Sequence, residues 1–263
     1  MTILAMLSAA ALAAPAPSPD VVARFVADEA RQGVAADGEH VYVNANSAIG
    51  KYDKRTGERV DAWQGEPAQF IHMNSCAVVA KELVCAASNY PATPMTSSVE
   101  WFSLAPLAHV RSRSLGPGRG SLTWLDWHDG SWWATFANYD GRGGEAGRDH
   151  RLTTMVRLDA DFREQGAWLF PASVLDRMKP YSSSGGAWGA DGLLYVTGHD
   201  LPEVYVLKLP QAGSQLVHVA TLPLGSNGQA IDWDPDARML WSINRPTREV
   251  LATRVPPVEV AGE

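Results

Sequence analysis

The sequence predicts an all-β protein, a five-bladed β-propeller whose last blade is closed by a strand from the N-terminus. The chain of 263 residues contains 23 glycines and 10 tryptophans, and hardly any segment shows the periodicity of a helix. Asp-Gly dipeptides between β-rich segments recur along the chain, which is typical of tight hairpins. The segments around these turns repeat one pattern, as a set of similar stacked sheets requires.

Five hairpins define the blades in chain order. Three have Asp-Gly turns, at 37–38, 129–130 and 191–192, and two fit the same frame with altered turns, at Ala80-Lys81 and Asp236-Ala237. A third strand follows most of the hairpins, as in TTMVRLDADFREQG and EVYVLKLPQAG. Because one such sheet cannot bury both faces alone, several must pack face to face around an axis. A β-sandwich built from the same hairpins is the alternative.

The last blade has too few strands of its own. Only GQAIDW, MLWSIN and EVLATRVP remain before the chain ends. We therefore expect VVARFVA, at residues 21 to 27, to supply the outer strand and close the ring.

The domain organisation predicted is a signal peptide and leader over residues 1–20, followed by a single β-propeller domain over 21–263. An apolar stretch ends in the small-residue pattern Ala11-Leu12-Ala13, which suits signal peptidase. Its length of about 14 residues is short of the roughly 20 needed to span a bilayer. We therefore expect a periplasmic or secreted protein without a membrane span after signal cleavage.

The charge pattern limits the partners. The net charge of −7 comes from 29 acidic and 22 basic residues without a long run of one sign, which argues against a nucleic-acid partner. The Gly-rich segment 141–151 contains neither a P-loop nor a dinucleotide fingerprint, so no nucleotide cofactor is expected and the segment is interpreted as a mobile loop beside the channel mouth. We expect a monomer that binds a small molecule or a glycan.

The two cysteines flank one of the hairpin turns. Cys76 and Cys85 would face each other across adjacent strands if Ala80-Lys81 forms a two-residue turn, and an oxidising compartment would allow a disulfide. Two small buried thiols are the alternative.

A polar residue recurs at the predicted end of the second strand of every blade. It lies nine residues beyond the first turn residue, at Asn46, Asn89, Asn138, Asp200 and Arg245. In a propeller these ends lie on the face opposite the hairpin turns, together with the starts of the inner strands. This face is the predicted functional face, and the alternative is that the polar residues only end their strands.

Reactive side chains adjoin these positions. The candidate catalytic residues are His72, Tyr90, Tyr139 and His199. The candidate metal ligands are His72, His199 and Gln229, which suit a divalent ion of calcium, manganese, zinc or iron. The candidate substrate-binding residues are Gln32, Asn46, Asn74, Asn89, Asn138, Asp200 and Arg245, with Trp124 and Trp188 as stacking platforms for a sugar ring.

The same count excludes other histidines. His128 lies in a hairpin turn on the far face, and His109 and His218 fall where outer strands should run. We expect none of the three to belong to the site.

The repeats resemble the exported bacterial propellers of the YVTN and quinoprotein-amine-dehydrogenase-like superfamily, and distantly the gluconolactonase-type propellers. The resemblance covers residues 21 to 256 and is carried by VYVNANSAIGKYDKRTGERV and GADGLLYVTGHDLPEVYVLKLP. The gluconolactonase likeness implies that Asn89, Asn138 and Asp200 match the ligands of one calcium ion. The family's glutamate at an inner-strand start is replaced here by Gln32, His72 or Gln229. Propeller polysaccharide lyases, in which His and Gln hold the metal, are a further analogy.

The residues favour an exported propeller enzyme. A metal would polarise a carboxylate or carbonyl while Tyr90 or Tyr139 acts as acid or base. This chemistry suits a lyase, isomerase or hydrolase acting on a carbohydrate, hydroxy acid or lactone. The alternative function is a propeller without enzymatic activity that binds a glycan or a peptide.

Overall fold

Five four-stranded antiparallel sheets surround a central channel and form a five-bladed β-propeller, as predicted. The structure is a computed structural model that describes residues 18–260. The predicted signal peptide lies almost wholly in residues 1–17, outside the described residues. Within residues 18–260, no helix is both long and apolar enough to cross a membrane.

Each blade runs from an inner strand at the channel to an outer strand at the rim. Blade 1 consists of β2 (Gly33–Ala36), β3 (His40–Asn44), β4 (Ala48–Asp53) and β5 (Arg59–Gln64). Blade 2 consists of β6 (His72–Val79), β7 (Glu82–Ser88), β8 (Thr96–Leu104) and β9 (Leu107–Pro117). Blade 3 consists of β10 (Ser121–His128), β11 (Ser131–Ala137), β12 (Thr154–Leu158) and β13 (Glu164–Leu169). Blade 4 consists of β14 (Gly185–Trp188), β15 (Leu194–Thr197), β16 (Glu203–Lys208) and β17 (Val217–Pro223). Blade 5 consists of β18 (Asp232–Trp233), β19 (Met239–Asn244), β20 (Glu249–Arg254) and the N-terminal strand β1 (Asp20–Val26).

The N-terminal strand closes the ring, as predicted. β1 pairs antiparallel with β20, and Phe25 lies opposite Val250. The Phe25 ring also lies 5.3 Å from the ring of Tyr52 in blade 1. The closing strand therefore joins the last blade to the first.

The core is divided into layers between neighbouring blades. One layer brings Trp124 and Trp133 of blade 3 against Val196 and Tyr205 of blade 4. Strands covered on both faces need apolar residues at successive positions; β11 is an example, since every residue of SWWATFA is buried. Burial alternates instead along the rim strand β1, which faces solvent on one side.

Two of the predicted hairpin turns have a left-handed backbone at both central positions. Asp129 and Gly130 have φ values of 49° and 70°, and Ala80 and Lys81 have φ values of 49° and 69°. These values are typical of the turns whose twist matches that of a two-residue hairpin.

The hairpin of blade 2 carries the disulfide. Cys76 and Cys85 are direct partners in the register of β6 and β7, with their Cα atoms 4.0 Å apart, and the two cysteines are bonded. The bond thus lies within one blade, between its inner and second strands.

The connections on the mouth face are longer than the hairpin turns. A short 3-10 helix, His150–Leu152, lies between β11 and β12, and helix α1 (Ala172–Met178) lies between β13 and β14. α1 buries Val174, Leu175 and Met178 against the layer between blades 3 and 4. These insertions supply residues to the mouth that the hairpin frame does not contain.

Candidate functional site

A cavity of about 250 Å³ opens at the mouth of the channel. The inner strands begin there and the second strands end there, so every blade contributes a polar side chain. The cavity is lined by Gln32, His72, Asn74, Tyr90, Thr123, Tyr139, Arg142, Tyr181, Ser184, His199, Gln229 and Arg245. Most of the residues predicted for the site therefore lie together.

Three rings form a contiguous row across blades 2 and 3. His72 begins β6, and its ring centroid lies 5.0 Å from that of Tyr90, which follows β7. The Tyr90 ring meets the Tyr139 ring edge to face at 5.3 Å. All three residues were predicted as catalytic, and the structure places them side by side.

The imidazole of His72 is neutral at pH 7. Burial lowers its pKa to about 4, and the positive charge of Arg245 acts in the same direction, while a hydrogen bond with Asn74 opposes the shift. A neutral imidazole has one unprotonated ring nitrogen that can accept a proton. His72 can therefore act as a base at pH 7.

The two tyrosines remain protonated at the same pH. Burial raises the pKa of Tyr139 and of Tyr90 above the ordinary value of 10. Both phenols can donate a hydrogen bond or a proton, and so complement the neutral His72.

A second row holds Arg245 in place. The Nδ1 atom of His199 donates to the carboxylate of Asp200, while His199 Nε2 lies 3.0 Å from Arg245 Nη1 and accepts from it. The Tyr181 ring stacks on the His199 ring at 4.1 Å. His199 is thus engaged at both nitrogens and positions the guanidinium at the cavity.

The predicted metal site of His72, His199 and Gln229 does not fit this geometry. Both ring nitrogens of His199 have partners, and the side-chain amide of Gln229 donates to the backbone oxygen of His199 at 3.1 Å. The Arg245 cation lies where it would repel a divalent ion held by His199. We derive no catalytic step through a metal at these residues.

A different group of side chains could hold a metal ion. Asp140, Asp149 and His150 present ligand atoms within 4.8 Å of one another. The Asp140 and His150 side chains are themselves 2.6 Å apart, and Asp149 pairs with Arg151 at 2.7 Å. Sequence reasoning missed this group because segment 141–151 was interpreted only as a Gly-rich loop, although two of the three residues are adjacent in its sequence.

That segment contributes to the wall of the cavity. Arg142 lines the cavity, and Gly143, with a φ of 80°, packs against Tyr90 so closely that a Cβ atom would lie 2.4 Å from the ring. The segment is fixed further on, where the carboxylate of Glu145 accepts from the backbone N–H of Met95. Its predicted place beside the mouth is confirmed.

Several predicted binding residues lie at the strand ends but organise loops instead. Asn89 Oδ1 accepts from the backbone N–H of Thr96 at 2.8 Å, and Asn138 Nδ2 donates to the backbone oxygen of Leu152 at 3.0 Å. Asn46 accepts from the side chain of Gln32 at 2.8 Å and so supports a cavity residue from outside. The strand-ending interpretation describes these three residues better than ligand binding does.

The prediction that Trp124 and Trp188 are stacking platforms for a sugar ring is wrong. Trp124 is fully buried between blades, and its Nε1 donates to Ser183 Oγ at 2.9 Å. Trp188 ends β14 rather than starting it, and its ring stacks on His128 at 4.7 Å near the hairpin-turn face. Neither ring can reach a ligand in the mouth cavity. His128, which the count places at a hairpin turn, ends β10 beside that turn.

Arg142 and Tyr181 are two cavity residues that sequence reasoning missed. Both lie in the long connections, outside the hairpin frame on which the count was based. Two features of the sequence could have indicated them. Arg142 is a basic residue within the Gly-rich segment, and Tyr181 is an aromatic residue shortly before the inner strand β14.

Comparisons with known proteins identify the fold. No protein-family model and no curated protein matches the chain. The glutaminyl cyclase of Myxococcus xanthus is similar in structure, with a TM-score of 0.61 and 10% identity over 92% of this chain and 98% of that chain. The PQQ-bound aldose sugar dehydrogenase of Streptomyces coelicolor gives a TM-score of 0.55 and 13% identity, over 95% and 85%. A luciferin-regenerating enzyme gives 0.50 and 11%, over 88% and 92%. These structures are β-propellers, so the resemblance inferred from the sequence is confirmed at the level of the fold.

Proposed function

We propose that the protein is an enzyme that carries out general acid–base chemistry on a small polar molecule at the channel mouth. The observation that carries the proposal is the row of His72, Tyr90 and Tyr139 in one cavity, in which a neutral imidazole contacts a protonated phenol. Similar solved propellers include proteins named as enzymes, which supports a propeller enzyme in general terms.

The two kinds of group suit complementary steps. His72 removes a proton from a carbon or hydroxyl next to a carbonyl, and the phenol of Tyr90 or Tyr139 donates to the carbonyl oxygen as negative charge develops there. Elimination, isomerisation and hydrolysis all use such a pair. A cavity of about 250 Å³ suits a single sugar, hydroxy acid or lactone, since drug-sized ligands occupy larger pockets.

The proposal keeps the expected export. A disulfide between Cys76 and Cys85 suits an oxidising compartment such as the periplasm or the extracellular medium. We propose that the mature protein works there as a monomer.

One observation favours the alternative of binding without catalysis. The cavity wall presents amides and hydroxyls from Gln32, Asn74, Thr123 and Ser184, which can bind the hydroxyl groups of a glycan or the backbone of a peptide. The enzyme is preferred because ligand binding alone has no need of a neutral imidazole against a phenol.

The test uses proton exchange. We expect wild-type protein, incubated in D₂O with a panel of lactones, hydroxy acids and sugars, to convert or deuterate one class, followed by proton NMR. His72→Gln and Tyr90→Phe should each slow this reaction by about 10²-fold or more. His218→Gln, the same change in outer strand β17, is the matched control and should react at the wild-type rate. A His72→Gln variant at full rate would contradict the proposal.

A further inference from the structure

The mouth cavity is positively charged, although the whole chain carries a net charge of −7. Arg142 and Arg245 line it, and the described residues that line it include no aspartate or glutamate. Their charges reach the reactive row, because Arg245 acts on both His72 and Tyr90, and Arg142 acts on Tyr90. A small cavity with this lining attracts anions.

Three carboxylates that adjoin residues of the cavity in the sequence or in the same segment have partners of their own. Asp200 accepts from His199, and Asp140 lies 2.6 Å from the ring nitrogen of His150. Glu145 accepts from a backbone N–H and lies 3.9 Å from Arg148. Among the described residues, neither Arg142 nor Arg245 has a carboxylate within ion-pair distance.

Arg245 is held so that its guanidinium stays available. Its hydrogen-bond partner is the ring of His199, which takes up a single N–H at 3.0 Å, out of the five that a guanidinium presents. A further arginine lies near it, since the pKa of Arg248 is lowered by burial and by the charges of Arg31 and Arg245, while the charge of Asp28 acts in the opposite direction.

Arg142 reaches the cavity from segment 141–151. Gly143 packs on the Tyr90 ring with a φ of 80°, a conformation that side chains rarely adopt. The contact fixes the preceding residue beside the ring row. The cavity therefore has one cation on the channel wall, Arg245, and another on segment 141–151, Arg142.

We propose that the substrate of this cavity carries a carboxylate, bound by Arg245 from the channel wall and by Arg142 from segment 141–151. The inference deepens the proposed function and rests on its placing the substrate in this cavity. Guanidinium groups bind carboxylates through paired N–H donors. Two such groups hold the anion, while the rest of the molecule faces His72 and Tyr90.

The experiment compares acids with neutral molecules of matched shape. Isothermal titration calorimetry measures the affinity for D-gluconate against sorbitol, and for lactate against propane-1,2-diol. We expect each acid to bind at least about tenfold more tightly than its neutral partner, and added NaCl to weaken only the acids.

Variants assign the effect to the two arginines. Arg245→Gln and Arg142→Gln should each weaken gluconate binding by about tenfold or more, and Arg245→Lys should restore only part of the loss. Arg151→Gln, at an exposed arginine that ends the same segment and pairs with Asp149, is the matched control and should bind as the wild type does. Arg142 lies on an exposed segment, so its variant tests the idea even if Arg245→Gln fails to fold.

The outcomes separate this inference from the proposed function. Equal affinity for acid and neutral partner, binding of neither acid, or unchanged affinity in the Arg142 variant would overturn the inference. Loss of turnover with retained gluconate binding in His72→Gln supports both proposals. Arginine-dependent binding of the acids without conversion of any compound supports the carboxylate site and removes the enzyme.

Discussion

His72 links the chemistry of the site to the stability of the fold. It is half-buried at the start of β6, and its pKa is about 4 in the folded protein against an ordinary value of 6.5. Between these two values the unfolded chain takes up a proton that the folded protein does not. The free energy of unfolding must therefore fall as the pH falls from 6.5 towards 4.

This sign gives a prediction for His72→Gln. Between pH 7 and pH 4.5, the wild type should lose on the order of 2 kcal/mol more stability than the variant, because glutamine does not titrate. Urea unfolding at the two pH values measures the difference. Equal losses in both proteins would mean that His72 is protonated as readily in the folded state as in the unfolded state.

Asp126, at the other end of the channel, affects the pH dependence of stability in the opposite direction. Burial raises its pKa to about 6, although its carboxylate accepts from the backbone N–H groups of Trp127 and Trp188. The pKa of the neighbouring Asp232 is raised as well, by burial and by the charge of Asp126. Stability from a raised carboxyl pKa is complete below the ordinary value of 3.8 and is lost as the pH rises through 6.

Asp126→Asn should therefore change the pH profile in the direction opposite to His72→Gln. Relative to the wild type, the variant should become more stable on going from pH 5 to pH 8, by about 1 to 1.5 kcal/mol. The change in the difference matters more than its absolute value, since asparagine can accept only one of the two backbone bonds. A difference independent of pH, measured by urea unfolding, would show that Asp126 does not titrate in this range.

At the scale of the strands, close contacts between blades depend on glycines, which have no side chain. Gly186 in β14 lies so near the Trp124 ring that a Cβ atom would be 2.4 Å from it. Trp124 is fully buried, and rings in a close-packed layer move little. The inner strands of blades 3 and 4 thus approach each other because one of them carries a glycine.

Gly186→Ala should destabilise the protein by about 1–3 kcal/mol through overpacking. Gly141→Ala is the matched control, because a Cβ atom there meets nothing within 4 Å, and its stability should stay within about 0.5 kcal/mol of the wild type. Thermal or urea unfolding of both variants measures the effect. Equal stabilities would mean that the layer yields to one methyl group.

The strands also explain how far the sequence could lead. Turn dipeptides and strand patterns are local, so all five hairpins and the closing strand could be predicted from them. The count from the turns identified the correct end of each strand, which placed His72, Tyr90, His199 and Arg245 at one mouth. It could not say which way a side chain points, and so Trp124 was interpreted as a platform although it is packed between blades.

The conformation of the long connections could not be predicted, although segment 141–151 was expected beside the mouth. Arg142 and Tyr181 reach the cavity from segments without periodicity, and their positions depend on distant contacts. One is the contact of Gly143 with the Tyr90 ring, and another is the stacking of Tyr181 on His199. The predicted metal site of His72, His199 and Gln229 does not fit for a related reason. The hydrogen bond that Arg245 makes with His199 joins blades 5 and 4, and such a contact is not visible in the sequence pattern of one blade.

At the scale of the whole molecule, the ring depends on a single outer strand. β1 pairs with β20 and packs Ala23 and Phe25 against the layer that contains Val41, Trp241 and Val250. Without it, β20 would have an unpaired edge and an uncovered apolar layer, and such edges pair with other chains.

A chain that starts at Asp28 should therefore melt at least roughly 10 °C lower than the whole protein, since each lost kcal/mol lowers the midpoint by about 2–4 °C at this size. It should also scatter light on heating. A chain starting at Ser18 retains all of β1 and is the control. Added peptide of residues 18–27 should restore part of the midpoint, and an unchanged midpoint in the shorter chain would show that closure is dispensable.

Ring closure also determines when folding can finish during synthesis. β1 leaves the ribosome before every other strand, yet Arg24 on it meets Glu249 of β20, 225 residues later. Blades 1 to 4 can each pair from strands that are consecutive in the chain, whereas blade 5 has to wait until β20 is made. Contacts so distant in sequence are slow to form. The nascent propeller therefore stays open until β20 is made, and β1 waits longer for its partner than the strands of the other blades do.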